Sequence, residues 1–148
     1  MSKGYAAVGL HQPKTATNVG AALRAVGVYE AAMLAICGKR FKMAATDTNQ
    51  EFKNTPVFNT LNLKDIIPYN CIPVAVEIVE GAIPLPSYNH PERAFYIFGP
   101  EDGAVPNEVL GWCRDIVSIP TKYCMNLAAT VNVVLYDRMA KGLRNEED

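Results

Sequence analysis

The stretch Ala94-Phe-Tyr-Ile-Phe-Gly-Pro-Glu-Asp-Gly103 decides the fold class. Its first five residues are apolar and favour strand, with no polar residue alternating between them. That is the pattern of a strand buried on both faces of a parallel sheet. The strand predicted over Ala94–Phe98 runs straight into a turn in which Gly99 and Gly103 bracket Pro-Glu-Asp. Beyond it, Pro106 to Cys113 reads as a helix with proline at its first position, and Ile116 to Ile119 as another strand. Upstream, Pro73 to Val79 reads as a strand, and Glu80 to Arg93 as a long loop rich in Pro and Gly.

The same alternation extends to both ends. Tyr5 to Leu10 is a first strand, followed by a helix over Asn18–Gly27 with Val19, Leu23 and Val26 at helical spacing and Asn18 as its cap. Ala31 to Ile36 is a second strand, closed by Gly38. Lys39 to Leu61 is polar and weakly patterned, a loop with one short helix, and Leu63 to Ile67 is a helical turn. The last element is a helix over Asn126–Lys141 with Leu127, Val131, Val134, Leu135 and Met139 as its apolar stripe and Gly142 as its stop. Strands alternating with helices predict an α/β fold with a parallel sheet flanked by helices, and no linker divides residues 1–148, so one domain is expected.

Composition excludes several classes. With 49% hydrophobic and 20% charged residues the chain is globular rather than disordered. It has no apolar run of about 18 residues or more, so no membrane span is expected. No signal-peptide pattern precedes the first strand. The cysteines at 37, 71, 113 and 124 lie far apart, without C-x-x-C pairs or histidines at ligand spacing. They read as free thiols in a reducing cytosol, with no metal site. The net charge of −1 hides an asymmetry: residues 1–60 carry seven Lys/Arg against three Asp/Glu, and residues 61–148 carry seven against twelve. A positive face for a polyanion is therefore compatible with the overall balance.

The common phosphate-loop, dinucleotide, serine-hydrolase and zinc-protease signatures are absent. Three clusters remain, each at a strand end or helix start, where α/β folds place ligands. In Asn18-x-Gly20-x-x-x-Arg24, Gly20 clears space on the helix face beside the Arg24 stem; a capped helix with a solvated arginine would look the same. In Phe98-Gly-Pro-Glu-Asp-Gly103, glycine at 99 and 103 admits close backbone approach to a ligand, and Glu101 offers a carboxylate; an ordinary tight turn uses the same residues. In Ile119-Pro-Thr-Lys-Tyr-Cys-Met-Asn-Leu127, the amides of a helix start and the Asn126 side chain offer polar groups either to read a ligand or simply to cap the helix.

Taken together and in this order, the clusters resemble motifs 1, 2 and 3 of the SpoU/TrmH family of SPOUT RNA methyltransferases. Asn18, Gly20 and Arg24 match the first, Phe98-Gly-Pro-Glu101 and Gly103 the second, and Ile119-Pro120 with Met125-Asn126-Leu127 the third, followed by the family-like run to Asp137. The length is most similar to the minimal TrmL-like tRNA members. The resemblance implies a C-terminal trefoil knot and S-adenosylmethionine as cofactor, held by Val76, Gly99, Gly103, Ile119, Cys124 and Met125. It also implies a homodimer packed partly through the last helix, and methylation of an RNA ribose 2′-hydroxyl, tRNA being the first expectation and rRNA the second. Cys124 stands where the family usually has serine, and the loop before Met125 is shorter than in TrmL-like members.

In that family the motif 1 arginine activates the ribose hydroxyl. A guanidinium with a pKa above about 12 is a poor base, so Arg24 is better read as stabilising charge on the attacking oxygen, with Asn18, Glu101 and Asn126 fixing it and the ribose. Lys39-Arg40-Phe41-Lys42 offers cations for phosphates and an aromatic ring for an unstacked base. Two other classes stay open: a knotted module that binds RNA or S-adenosylmethionine without catalysis, and an enzyme that methylates a small molecule.

Overall fold

The computed structural model describes residues 4–38 and 54–147. Seven parallel strands form one sheet in the order β3-β2-β1-β6-β4-β7-β5. They are β1 Tyr5–His11, β2 Leu34–Cys37, β3 Val57–Thr60, β4 Ile72–Val76, β5 Ile83–Pro84, β6 Arg93–Phe98 and β7 Asp115–Ser118. The α-helices among the described residues are α1 Ala16–Val28, α2 Asn107–Trp112 and α3 Leu127–Glu147. Among the described residues no helix is long and apolar enough to cross a membrane.

The central strands are apolar on both sides because both faces are covered. Val8 and Leu10 of β1, with Tyr96 and Phe98 of β6, point into a core shared with Val19, Leu23 and Val26 of α1 and Leu127, Val131, Val134 and Leu135 of α3. Their neighbours Ala7, Phe95 and Ile97 point the other way, onto Leu63, Val105 and Val109 of the α2 side. Since every strand runs in the same direction, the C-terminal ends of β1, β4, β6 and β7 share one rim.

The parallel sheet covered on both faces agrees with the reading of the sequence; several boundaries do not. Thr15, not Asn18, caps α1: its hydroxyl accepts from the Asn18 N–H, and Asn18 lies inside the first turn. Pro106 precedes α2 as its cap rather than forming its first residue. β4 ends at Val76, three residues earlier than predicted. β3 forms inside a stretch read as loop; it is an edge strand whose side chains are half or fully exposed, so it has no apolar alternation and is held by its backbone pairing to β2. The 80–93 loop contains β5 and a 3-10 turn, Leu85–Ser87. α3 continues through Gly142, whose cost of about 1 kcal/mol inside a helix is too small to end it. Met139 lies on the outer side of α3, 42% exposed, not in its buried stripe.

The 80–93 loop is ordered by a polar cluster rather than by apolar packing. Arg138 of α3 donates to the carbonyls of Pro91 and Glu92 at 2.7 and 2.8 Å and to the Tyr96 hydroxyl at 3.0 Å. Tyr96 is fully buried, and its hydroxyl lies 2.7 Å from His90 Nδ1. His90 Nε2 lies 2.7 Å from the Asp137 carboxylate, which Lys141 Nζ also reaches at 2.7 Å. The Asp137 carboxylate can only accept from Nε2, so the neutral His90 ring carries its proton there and Nδ1 accepts from the Tyr96 hydroxyl. Burial holds the His90 imidazole below its ordinary value of 6.5 against the opposing pull of Asp137, and burial raises the Tyr96 hydroxyl to about 12.

Tyr96→Phe should leave His90 Nδ1 and one Arg138 donor without a partner and cost about 1–3 kcal/mol in urea unfolding at pH 7.5, with an unchanged m-value. A depressed histidine contributes stability that is full above pH 6.5 and is lost as the pH falls toward its folded value, so the His90 share of parent stability should fade below pH 6.5. A stability curve flat from pH 7.5 to 5, or a Tyr96→Phe variant as stable as the parent, would contradict this account of the loop.

Candidate functional site

The rim at the strand ends is organised by the Glu101 carboxylate. Glu101 sits in the turn after β6, and its Oε1 accepts from the Lys14 backbone N–H at 2.7 Å. Its Oε2 accepts from the Thr15 N–H and hydroxyl, both at 3.0 Å, and from Asn18 Nδ2 at 2.9 Å. These donors open α1, so the carboxylate satisfies orphan amides at the positive end of a helix. Partial burial pushes the Glu101 carboxyl up, but the hydrogen bonds from Lys14, its own backbone, Thr15 and Asn18 together outweigh it and hold it down at about 2.

Asn18 extends the network. Its Oδ1 accepts from Asn126 Nδ2 at 2.8 Å, and Asn126 Oδ1 accepts from the Ala128 and Ala129 N–H groups at 2.9 and 3.2 Å. Asn126 therefore caps α3 while its amide group reaches α1. One chain of side chains, Asn126 to Asn18 to Glu101, joins the starts of α3 and α1 to the β6–α2 turn.

Beside this network lies an open cleft of about 150 Å³, lined at the end of β4 by Val76 and Glu77, in the β6–α2 turn by Gly99, Glu101 and Gly103, and before α3 by Ile119, Thr121, Cys124 and Met125. All six residues assigned from the sequence to cofactor binding line it. Cys124 is an exposed free thiol. Arg24 is placed elsewhere: it is exposed on the outer face of α1 and makes no hydrogen bond or ion pair with the described residues. It is one helical turn from Val28 and makes no hydrogen bond to Asn18, Glu101 or Asn126. Lys39, Arg40, Phe41 and Lys42 lie outside the described residues. Among the described residues no group of three His, Cys, Asp or Glu is arranged to hold a metal ion.

The reason for glycine at 99 differs from the one predicted. A Cβ there would come within 2.8 Å of the Val105 backbone N and 3.0 Å of the Ala104 carbonyl carbon. The turn itself, folding back on its own backbone, excludes a side chain before any ligand is considered. At Gly103 a Cβ would meet only Pro100 Cγ at 3.4 Å, an ordinary contact, so that position is open toward the cleft.

Glu77 escaped the sequence reading. Its Oε2 accepts from the Val105 N–H at 2.8 Å and its Oε1 from the Ile78 N–H at 3.0 Å, while its own N–H donates to the Val117 carbonyl at 3.0 Å. It thus ties the end of β4 to the β6–α2 turn and to β7. The available signal was an acid inside the otherwise apolar run Val74–Val79. A larger cavity, about 770 Å³, lies between the 86–92 segment and the C-terminal half of α3. The side chains of Tyr88, His90, Arg138 and Lys141 that face it are already bonded to Tyr96, to Asp115 and Asp137 or to backbone carbonyls. The smaller cleft, with its glycine turn, is the better candidate.

The match to known proteins falls on the same elements. The model of the SpoU rRNA methylase family matches residues 5–136. The SpoU methyltransferase AviRb from Streptomyces viridochromogenes, solved in complex with the cofactor AdoMet, superposes with a TM-score of 0.85 at 15% identity over 97% of this chain and 60% of that one. The present chain thus spans less than two thirds of the length of that protein. A TrmH/SpoU tRNA modifying enzyme from A. aeolicus gives 0.83 at 16% identity over 99% of this chain and 78% of that one. A protein solved in a study of 2-OH methylation of C/U34 on tRNA gives 0.74 at 20% identity, covering 95% and 92%. No curated protein matches the sequence.

If the Glu101 clamp is as described, Glu101→Gln should cost about 1–3 kcal/mol at pH 7, because a neutral amide replaces a carboxylate that accepts four hydrogen bonds. A depressed carboxyl contributes stability above its unfolded value and loses it as the pH falls, so the gap between parent and variant should close between pH 4.5 and about 2. Thermal unfolding across that range reads the effect. A gap that is constant with pH would show that the charge has no part in it.

Proposed function

Because the chain belongs to the SpoU rRNA methylase family, we propose that it transfers a methyl group from S-adenosylmethionine to the 2′-hydroxyl of a ribose in RNA, with tRNA as the substrate class. The observation that carries this reading is the convergence of three loops on one cleft, the β6–α2 turn joined to the start of α3 through Glu101, Asn18 and Asn126 and to the end of β4 through Glu77. The lining suits that cofactor. Val76, Ile78, Phe98, Ile119, Met125 and Leu127 offer apolar surface to a purine, and the turn around Gly103 leaves backbone approachable. Glu77 supplies negative charge facing a cation. The choice of tRNA is supported by the similarity to the A. aeolicus tRNA modifying enzyme.

When bound, the cofactor supplies an electrophilic methyl group on a sulfonium. The protein must hold a ribose oxygen in line with it and stabilise the charge that develops there. Arg24 suits the second of these roles, since it is always charged and its guanidinium is free of partners among the described residues. Asn18 and Asn126, fixed between two helix starts, hold the cleft side of the site rigid rather than gripping Arg24.

The reading includes the C-terminal trefoil knot, for which the support is that residues 119–127 line the same cleft as the ends of β4 and β6. It also includes a homodimer. Val28 of α1 is 64% exposed, and Tyr136 and Leu143 of α3 are 56% and 54% exposed, large apolar groups that a second copy would cover. Arg24, one turn from Val28, would then lie beside that interface. The four free thiols fit a reducing cytosol.

Single-turnover transfer of labelled methyl groups to RNA tests the assignment. Arg24→Ala should bind S-adenosylmethionine like the parent and lose about two to three orders of magnitude in transfer. Arg24→Lys should recover little. Nucleoside mass spectrometry should locate the label on a ribose. Transfer by Arg24→Ala at the parent's rate would remove Arg24 from the mechanism; a parent that binds cofactor but modifies no RNA would make the chain a binding module.

A further inference from the structure

The lining of the cleft is electrically one-sided. Of its residues only Glu77 and Glu101 carry charge, and both are acids. Their carboxylates are in different situations. That of Glu101 is consumed: one oxygen accepts from three donors and the other from Lys14. Each Glu77 oxygen accepts a single backbone hydrogen bond, from Val105 to Oε2 and from Ile78 to Oε1. A carboxylate oxygen has two acceptor positions, so Glu77 keeps half of its capacity while its backbone bonds hold it at the wall of the cleft.

Methyl transfer changes the charge of the cofactor. The ribose oxygen forms a bond to the methyl carbon as the carbon–sulfur bond breaks. The bonding pair returns to sulfur, the sulfonium becomes a neutral thioether, and the hydroxyl proton is released to solvent. Substrate and product cofactors therefore differ by one methyl group and one positive charge.

Resting on the reading of this cleft as the cofactor site, we propose that Glu77 makes the cleft selective for the charged cofactor: its carboxylate faces the sulfonium and favours S-adenosylmethionine over S-adenosylhomocysteine, so that loss of the charge releases the product. A neutral cleft would hold the two ligands almost equally, since one methyl group contributes little. Glu101 cannot take this part, because its charge is already balanced by the amides at the start of α1. The preference is an electrostatic effect at a solvent-open site, so it should weaken with salt.

Glu77→Gln removes the charge while its amide oxygen still accepts from Val105, the bond that latches the β6–α2 turn; only the bond from the adjacent Ile78 N–H is given up. Calorimetric titration should show the affinity for S-adenosylmethionine falling about tenfold and that for S-adenosylhomocysteine changing less than about twofold. Glu77→Asp keeps the charge but draws it back from Val105, and should retain most of the parent's preference even if both affinities drop. Thermal unfolding of each variant accompanies the titrations. Equal weakening of both ligands in Glu77→Gln would make Glu77 only a latch for the β6–α2 turn and overturn the proposal, as would no change in either. A parent chain that binds neither ligand would overturn the reading of the cleft itself, an outcome distinct from parent binding without discrimination.

Discussion

The Glu101 carboxylate is the point where α1 and the β6–α2 turn are joined, with α3 reaching it through Asn126 and Asn18. Four donors converge on it from Lys14, Thr15 and Asn18. A helix start offers amides with no partner inside the helix, and a carboxylate satisfies them better than water does at a partly buried position. Removing that charge would leave several donors facing one another, which explains why the carboxyl is held at about 2 despite its burial. The turn it holds forms one wall of the cleft, and the segment leading into α3, which it reaches through Asn18 and Asn126, forms another.

Glu77 acts at the opposite end of the same turn. One carboxylate belongs to the turn and grips α1; the other directly follows β4 and grips the turn at Val105. Between them, Gly99 is packed against its own turn too tightly for a side chain. A loop clamped at both ends is preorganised, so a ligand would not have to pay the entropy of ordering it. On the other side of the molecule a second polar assembly, His90, Tyr96, Asp137, Arg138 and Lys141, anchors the 80–93 loop to α3. Its groups are saturated with one another, which is what separates a structural cluster from a site with capacity to spare.

Most of the sheet was legible because buried parallel strands are apolar throughout, as in Ala94–Phe98. The elements that escaped are those held by backbone or polar contacts. β3 is an edge strand with exposed side chains, α3 passes a glycine that carries too small a penalty to stop it, and the cap of α1 is Thr15 because Asn18 is used across the site. Motif spacing placed Asn18, Glu101 and Asn126 together, although the partners of each could not be read: Arg24 was expected among them and stands on the open face of α1 instead. Glu77 was invisible for a different reason. Its role depends on the Val105 amide, 28 residues away, which no local pattern reveals.

Backbone amide NMR during titration with S-adenosylmethionine tests most directly whether the loops clamped by Glu101 and Glu77 form the cofactor site. The largest shifts should fall at Val76–Ile78, Gly99–Val105 and Ile119–Leu127, with the amides around His90 and Arg138 unmoved. Saturable shifts confined to the larger cavity beside α3, with the clamped turn silent, would contradict that reading.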